Sequence, residues 1–252
     1  MYPILFSIGP IRIYSYGVML AVAFLTVTYL ISRRAELFKI SKDAVNNLTF
    51  VLLISGILGA RIFYILLNIR YFIAQPLEAL MIHKGGLVFY GAFIIAFISG
   101  LIFVKLHRLS VLDTADLVVP FVAMAHSIGR IGCFLNGCCY GRPTDSFIGT
   151  IPSLHSDIRL WPTQIISSMG LFVIFGLLFY KQARRRFRGE ITACYLMLYG
   201  SFRFGIEFMR GDLYPVFYNL TPTQLVSIGF VIAGLVLYFV KKTDTNTGDA
   251  SR

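Results

Sequence analysis

Leu117-Val-Val-Pro-Phe-Val-Ala-Met-Ala-His-Ser-Ile-Gly-Arg-Ile-Gly-Cys-Phe-Leu-Asn-Gly-Cys-Cys-Tyr-Gly141 is an apolar run that closes on an arginine, an asparagine, three cysteines and four glycines. A charge at the end of a membrane-length segment is expensive unless a partner or ligand meets it. The glycines let backbone approach a neighbour closely, or let the chain leave a helix where it lines a cavity. Taken alone, the stretch supports two interpretations: a helix end whose arginine snorkels into headgroups, or one wall of a binding site inside the membrane.

The surrounding chain places it in lipid. Of 252 residues, 57% are hydrophobic and 14% charged, with mean hydropathy +0.74. Soluble domains carry about 25% charged residues, so the composition is that of a membrane protein. The net charge of +11 would suit nucleic acid, but the basic residues sit in short loops beside apolar segments, and no nucleic-acid partner is expected. The first apolar run is too long, and too weakly flanked, for a cleavable signal peptide. Length would allow one or two soluble domains, but no long polar stretch exists to build a second one.

The pattern predicts an all-α polytopic membrane protein with about seven transmembrane helices, at 14–31, 48–69, 85–106, 117–135, 162–180, 191–209 and 222–240. These form a single domain over 1–240, with 136–161 as a small extracytoplasmic cap and 241–252 as a frayed polar cytoplasmic tail. The stretch 76–82 is mildly amphipathic and reads as interfacial. Of the 23 Lys and Arg residues, fourteen fall in alternate loops and the tail, six in the N-terminus and the other loops, and three inside segments. The positive-inside rule then puts the N-terminus outside and the C-terminus in the cytoplasm.

With that orientation, Arg61, Arg130 and Arg203 all lie in outer halves, within roughly 15 Å of the outer surface at ~1.5 Å per residue. Tyr16, Tyr90, Tyr199 and Glu207 share that depth, whereas the inner halves carry few charges. Independent snorkelling would scatter charge to both faces, so the one-sided cluster points to a common polar chamber open outward. Arg203 and Glu207 are spaced i, i+4 and can pair on one helix face, which Tyr199 extends. Arg61 and Arg130 have no obvious carboxylate at their depth, and a phosphate fits a guanidinium fork bidentately. The residues therefore point to a membrane-embedded site for an anionic phospholipid.

Cys133, Cys138 and Cys139 with His126 could be imagined as zinc ligands, but the Cys-x4-Cys-Cys spacing matches no common zinc pattern. Neighbouring Cys138 and Cys139 are not expected to converge on one ion or to form a disulfide framework. No metal and no other cofactor is expected, and these thiols, with Cys194, read as small packing residues. His83, His107 and His155 fall in loops. Pro-Thr-Gln opens two segments, at Pro162 and Pro222, a weak sign of internal symmetry.

The stretch Gly129-Arg-Ile-Gly-Cys-Phe-Leu-Asn-Gly-Cys-Cys-Tyr-Gly141 resembles the signature of the prolipoprotein diacylglyceryl transferase family. The likeness runs through Tyr16-Gly17, Gly59-Ala-Arg61 with Tyr64, Gly85-Gly-Leu-Val-Phe-Tyr-Gly91, Pro162-Thr-Gln164, and Tyr199-Gly-Ser-Phe-Arg203 with Glu207. The resemblance implies an enzyme of the bacterial cytoplasmic (inner) membrane. It would transfer the diacylglyceryl group of phosphatidylglycerol to the lipobox cysteine thiol of a prolipoprotein signal peptide, leaving a thioether and glycerol phosphate. On that likeness Arg130 and Arg203 grip phosphate and stabilise the departing charge. Tyr16 and Tyr199 shape the headgroup site with Arg61 and Glu207, and Asn136 and Gly141 shape the signature loop. Tyr90, where family members carry histidine or tyrosine, lies behind Gly85 and Gly86 and is the candidate to deprotonate the thiol.

The sequence departs from the family pattern at Cys133, usually asparagine, and at Cys138, usually glutamate. Two rival readings stay open: a non-catalytic or altered-specificity phospholipid-binding homologue, and an anion transporter. Scarcity of charge in the inner halves argues against transport.

Overall fold

The computed structural model describes residues 2–8, 11–81, 85–150, 158–211 and 218–249. The helices are α1 (Ser15–Arg34), α2 (Lys42–Leu67), α3 (Ile69–Ala74), α4 (Phe89–Leu106), α5 (Val111–Asn136), α6 (Thr163–Gln182), α7 (Glu190–Glu207) and α8 (Pro222–Asp249). The all-α polytopic reading holds, with one addition. Strands β1 (Ile4–Ile8) and β2 (Ile11–Tyr14) form an antiparallel hairpin ahead of α1, where β-branched residues at Ile11 and Ile13 favour extended chain.

Six helices, α1, α2, α4, α5, α6 and α8, are long and apolar enough to cross a membrane. The expected seventh, α7, has 18 residues, about 27 Å of helix, but carries Glu190, Arg203 and Glu207. Side chains such as Leu25, Phe50, Phe93, Phe97 and Val236 stay exposed along these helices, as suits a lipid-facing surface.

Local chemistry moves several boundaries from those expected. Ser41 caps α2 by accepting from Ala44 N at 3.2 Å, so the helix starts before its apolar core. Ser110 does the same for α5, accepting from Asp113 N at 3.3 Å. The third segment becomes helical only at Phe89, because Gly85 and Gly86 hold φ values of +86° and +75°, outside the helical region. The last helix spans Pro222–Asp249. The piece 76–80 is a 3-10 turn with Leu77 and Leu80 exposed, while Ile82 and the cap residues His155 and Asp157 lie outside the described residues.

The chain divides into two compact units: Met1–Ile31 with Ala115–Arg252, and Ser32–Thr114. In the smaller unit α2 and α4 cross at Gly59 and Gly91, where a Cβ on either would lie 2.5 Å from the other's carbonyl oxygen. Small residues are what allow such an approach between membrane helices.

In the larger unit, Ser127 and Ser168 exchange hydrogen bonds between α5 and α6, each hydroxyl donating to the other's carbonyl at 2.8 and 3.0 Å. Helices α7 and α8 meet at Gly200 and Gly234, where a Cβ would strike Ser227 O and Ala193 O. Asp116 of α5 is wholly buried and accepts from Gly189 N (2.7 Å), Thr192 N (2.8 Å) and Thr192 Oγ1 (2.7 Å). It thereby satisfies the first amides of α7, whose own N-cap, Gly189, has no side chain to do so. Ten residues on, His126 of α5 lies 5.8 Å, ring to ring, from Tyr199 of α7. Two such contacts, both advancing along the chain, mean that α5 and α7 run side by side in the same direction.

Candidate active site in the larger unit

That parallel register brings Arg130 and Arg203 to one level. Arg130 lies one helical turn beyond His126, and Arg203 one turn beyond Tyr199. Both guanidinium groups act electrostatically on His126 and on Tyr199, and each acts on the other. Tyr195 stacks on Tyr199 with centroids 5.5 Å apart, fixing the ring that separates α5 from α8.

The two arginines are partnered differently. Arg203 pairs with Glu207 at 2.9 Å, and the Glu207 carboxylate also accepts from Thr221 Oγ1 at 2.9 Å. Arg130 donates Nε–H to His126 Nε2 at 3.2 Å, which makes His126 the neutral Nδ1–H tautomer in this arrangement. Among the described residues Arg130 has no carboxylate partner, so two guanidinium groups share one carboxylate. Among the described residues the Nη groups of Arg130 make no hydrogen bond, and such a guanidinium fork suits an anion with forked oxygens.

Tyr16, at the start of α1, lies within electrostatic reach of Arg130 and of all three cysteines. Its position is set by Gly132, where an added Cβ would approach Tyr16 Cδ2 and Met19 Cβ to 3.1 Å. Asn136 is the last residue of α5. Gly141 donates its N–H to Trp161 O at 2.9 Å, and a Cβ there would lie 2.4 Å from Met209 O. Only glycine lets the signature loop pass between the start of α6 and the end of α7. Thr163 Oγ1 and Gln164 Nε2 then donate to the carbonyls of Cys139 and Cys138, at 2.8 and 2.7 Å. The second Pro-Thr-Gln does something else. There Gln224 Oε1 accepts from Thr221 N at 2.9 Å, closing a capping box on α8. The repeated tripeptide therefore serves two unlike ends.

The cysteines do converge, contrary to the reading from spacing. The Sγ atoms of Cys133, Cys138 and Cys139 all lie within 4.8 Å of one another, and all are free thiols. Gly137 (φ +72°) ends α5 in a Schellman turn, with Gly137 N donating to Phe134 O and Cys138 N to Cys133 O. That turn folds the sixth residue back over the first. Hydrogen bonding with Cys133 and Cys138, helped by the charges of Arg130 and Arg210, draws the Cys139 thiol well below its ordinary pKa.

Arg61, Gly85, Gly86 and Tyr90 belong to the smaller unit. Arg61 is buried, and its guanidinium donates to the carbonyls of Ala79 (2.9 Å), Gly85 (2.8 Å), Gly86 (3.3 Å), Met81 (3.5 Å) and Glu78. The rings of Tyr64 and Phe72 flank it at 5.6 and 5.4 Å. Where the sequence suggested an anion for Arg61, the described contacts of its guanidinium are with backbone carbonyls of the loop. Gly86 packs against Tyr64, whereas an added Cβ at Gly85 would meet nothing within 4 Å. Tyr90 is 73% exposed in the first turn of α4, beside Phe89.

Sequence reading passed over His126, Thr163, Gln164 and Thr221 as parts of the site. Two were detectable: His126 stands i−4 from Arg130, and Thr221-x-x-Gln224 is a capping-box signature.

Six helices of membrane length, with Arg130 and Arg203 brought to one level between α5 and α7, define a polytopic membrane protein. The chain belongs to the prolipoprotein diacylglyceryl transferase family, whose model matches residues 3–240. It is 38% identical over 247 residues to the phosphatidylglycerol–prolipoprotein diacylglyceryl transferase of Clostridium tetani, covering 96% of this chain and 98% of the relative. A second transferase of that name in Clostridium perfringens is 36% identical, covering 95% of each chain. The Bordetella parapertussis transferase is 32% identical, covering 94% of each.

Proposed function

We propose that this chain transfers the diacylglyceryl group of phosphatidylglycerol to the lipobox cysteine of prolipoproteins, from a site open to the outer leaflet of the bacterial cytoplasmic membrane. The N-terminus lies outside and the C-terminus in the cytoplasm, following the distribution of Lys and Arg. The observation that carries the reading is the surplus of guanidinium over carboxylate where Arg130 and Arg203 meet.

In the reaction the acceptor thiol loses its proton. Its sulfur attacks the glycerol carbon that bears the phosphate ester, the C–S bond forms as the C–O bond breaks, and glycerol phosphate leaves with the electron pair. Charge grows on the departing phosphate oxygens, where forked N–H donors held ready in an apolar surround stabilise it most. Arg130 and Arg203 supply those donors. His126 and Glu207 orient them, and Tyr16 and Tyr199 border the headgroup. Asn136 and Gly141 hold the loop beside it. We assign the thiol proton to Tyr90, exposed in the first turn of α4, which takes it directly as the phenolate or relays it through water to solvent, with Gly85 leaving room for the peptide backbone.

Purified protein given phosphatidylglycerol and a lipobox peptide should release glycerol phosphate and yield a peptide heavier by one diacylglyceryl group. Lipid consumed with the peptide unmodified would make the protein a phospholipase. Lipid bound with neither product would make it a non-catalytic homologue.

A further inference from the structure

The transfer reaction makes no use of the three thiols at the end of α5. We propose that Cys133, Cys138 and Cys139 form a site for a soft, thiophilic ion that takes three thiolates, of the kind represented by monovalent copper or trivalent arsenic. The sulfurs lie within 4.8 Å of one another, with Cys138 and Cys139 3.8 Å apart. Three sulfurs each ~2.3 Å from one ion stand ~4 Å apart in a trigonal plane, so closing the site takes shifts of under about 1 Å.

The geometry is prepared by the backbone. The Schellman turn at Gly137 returns Cys138 to Cys133, whose carbonyl lies 3.7 Å from Cys138 Sγ. Cys139 holds φ +64°, a left-handed conformation that a non-glycine residue seldom adopts. The first turn of α6 pins that conformation through Thr163 and Gln164, whose side chains grip the carbonyls of Cys139 and Cys138. This constraint lets adjacent cysteines serve one centre. Gln164 is almost wholly buried, and its Oε1 has no partner among the described residues.

The donor set selects the ion. Soft thiolates favour monovalent copper over harder cations. Zinc asks for a fourth ligand, and no histidine or carboxylate among the described residues joins the three sulfurs. Arg130 and Arg210 offset the charge of the thiolates. Binding is redox-neutral. Copper displaces the thiol protons to solvent. Arsenous acid exchanges three As–O bonds for three As–S bonds, each departing hydroxyl leaving as water with one thiol proton.

The test uses the full chain in detergent, reduced with a phosphine and held without oxygen. It is titrated with monovalent copper against a chromogenic chelator and, separately, with arsenite. One ion per chain is expected, with three sulfur neighbours and no nitrogen in its X-ray absorption spectrum. Cys138→Ser should weaken binding by more than the 10–100-fold that loss of an outer-shell partner costs, while Cys194→Ser leaves it unchanged. Tight binding in either arm supports the site and names its ion. If the serine variants fail to fold, the wild-type protein still decides: arsenite should shield Cys133, Cys138 and Cys139 together from alkylation. The proposal fails if both ions bind the triple serine variant as tightly as wild type, if alkylation is unaffected, or if the spectrum shows two sulfurs or a four-coordinate shell.

Discussion

Arg61 and Arg130 are alike in sequence, each an arginine in the outer half of an apolar segment, and the structure gives them opposite circumstances. Arg61 is enclosed by five backbone carbonyls and two aromatic rings. Arg130 has one neutral histidine as its hydrogen-bond partner, and its charge reaches Arg203, Tyr16 and the Cys139 thiol, with no carboxylate beside it among the described residues. A buried cation saturated by its own fold holds a loop in place, whereas one short of negative charge is arranged for a ligand. Asp116 makes the same point for anions. It takes two amides, a hydroxyl and Arg185 at 3.2 Å, which leaves little for a substrate and marks that end of α5 and α7 as scaffold.

The strongest challenge to this division lies within Arg61's own unit. If Tyr90 takes the acceptor proton, Tyr90→Phe should cut turnover by roughly 10²–10⁴-fold with lipid affinity little changed. Raising the pH towards ~8.5, where a free thiol ionises unaided, should restore part of the loss. A defect confined to lipid binding, with no recovery at high pH, would make Tyr90 a headgroup contact.

Next in size are Arg130→Lys and Arg203→Lys, which keep charge and lose the fork. Each should lower kcat/KM by about 10²–10³-fold, the range for removal of one charge-stabilising donor, with the melting temperature in detergent nearly unchanged. Full activity in Arg203→Lys would reduce the Arg203–Glu207 pair to a structural tie.

Arg61→Lys should do the reverse. An ammonium cannot reach all five carbonyls, and losing one or two charged hydrogen bonds removes about 3 kcal/mol. That corresponds to roughly 6–12 °C in Tm for a chain of this size, while activity per folded molecule stays within a few-fold. An unchanged Tm with weaker lipid binding would return Arg61 to the anion binders.

The smallest effect is expected at Thr221, which caps α8 and steadies Glu207. Thr221→Val should lose about 2 kcal/mol, and Thr221→Ser should recover it. A Thr221→Val protein as stable as wild type would show that Glu207 needs only Arg203.

The amino-acid sequence alone determined that the chain lives in a membrane, where most of its helices lie and which motifs carry the family resemblance. Those properties follow from composition, from the length of apolar runs and from residues close together in the chain. Even there, caps at Ser41 and Ser110 and the left-handed Gly85–Gly86 moved helix ends that hydropathy placed elsewhere. Tertiary structure decided which polar groups are satisfied. Carbonyls from a loop seventeen to twenty-five residues away close on Arg61, and the parallel register of α5 and α7 sets Arg130 beside Arg203. One glycine turn gathers three thiols that spacing had kept apart. Saturation of a buried group depends on distances and directions between distant residues, and a linear pattern of residue types carries neither.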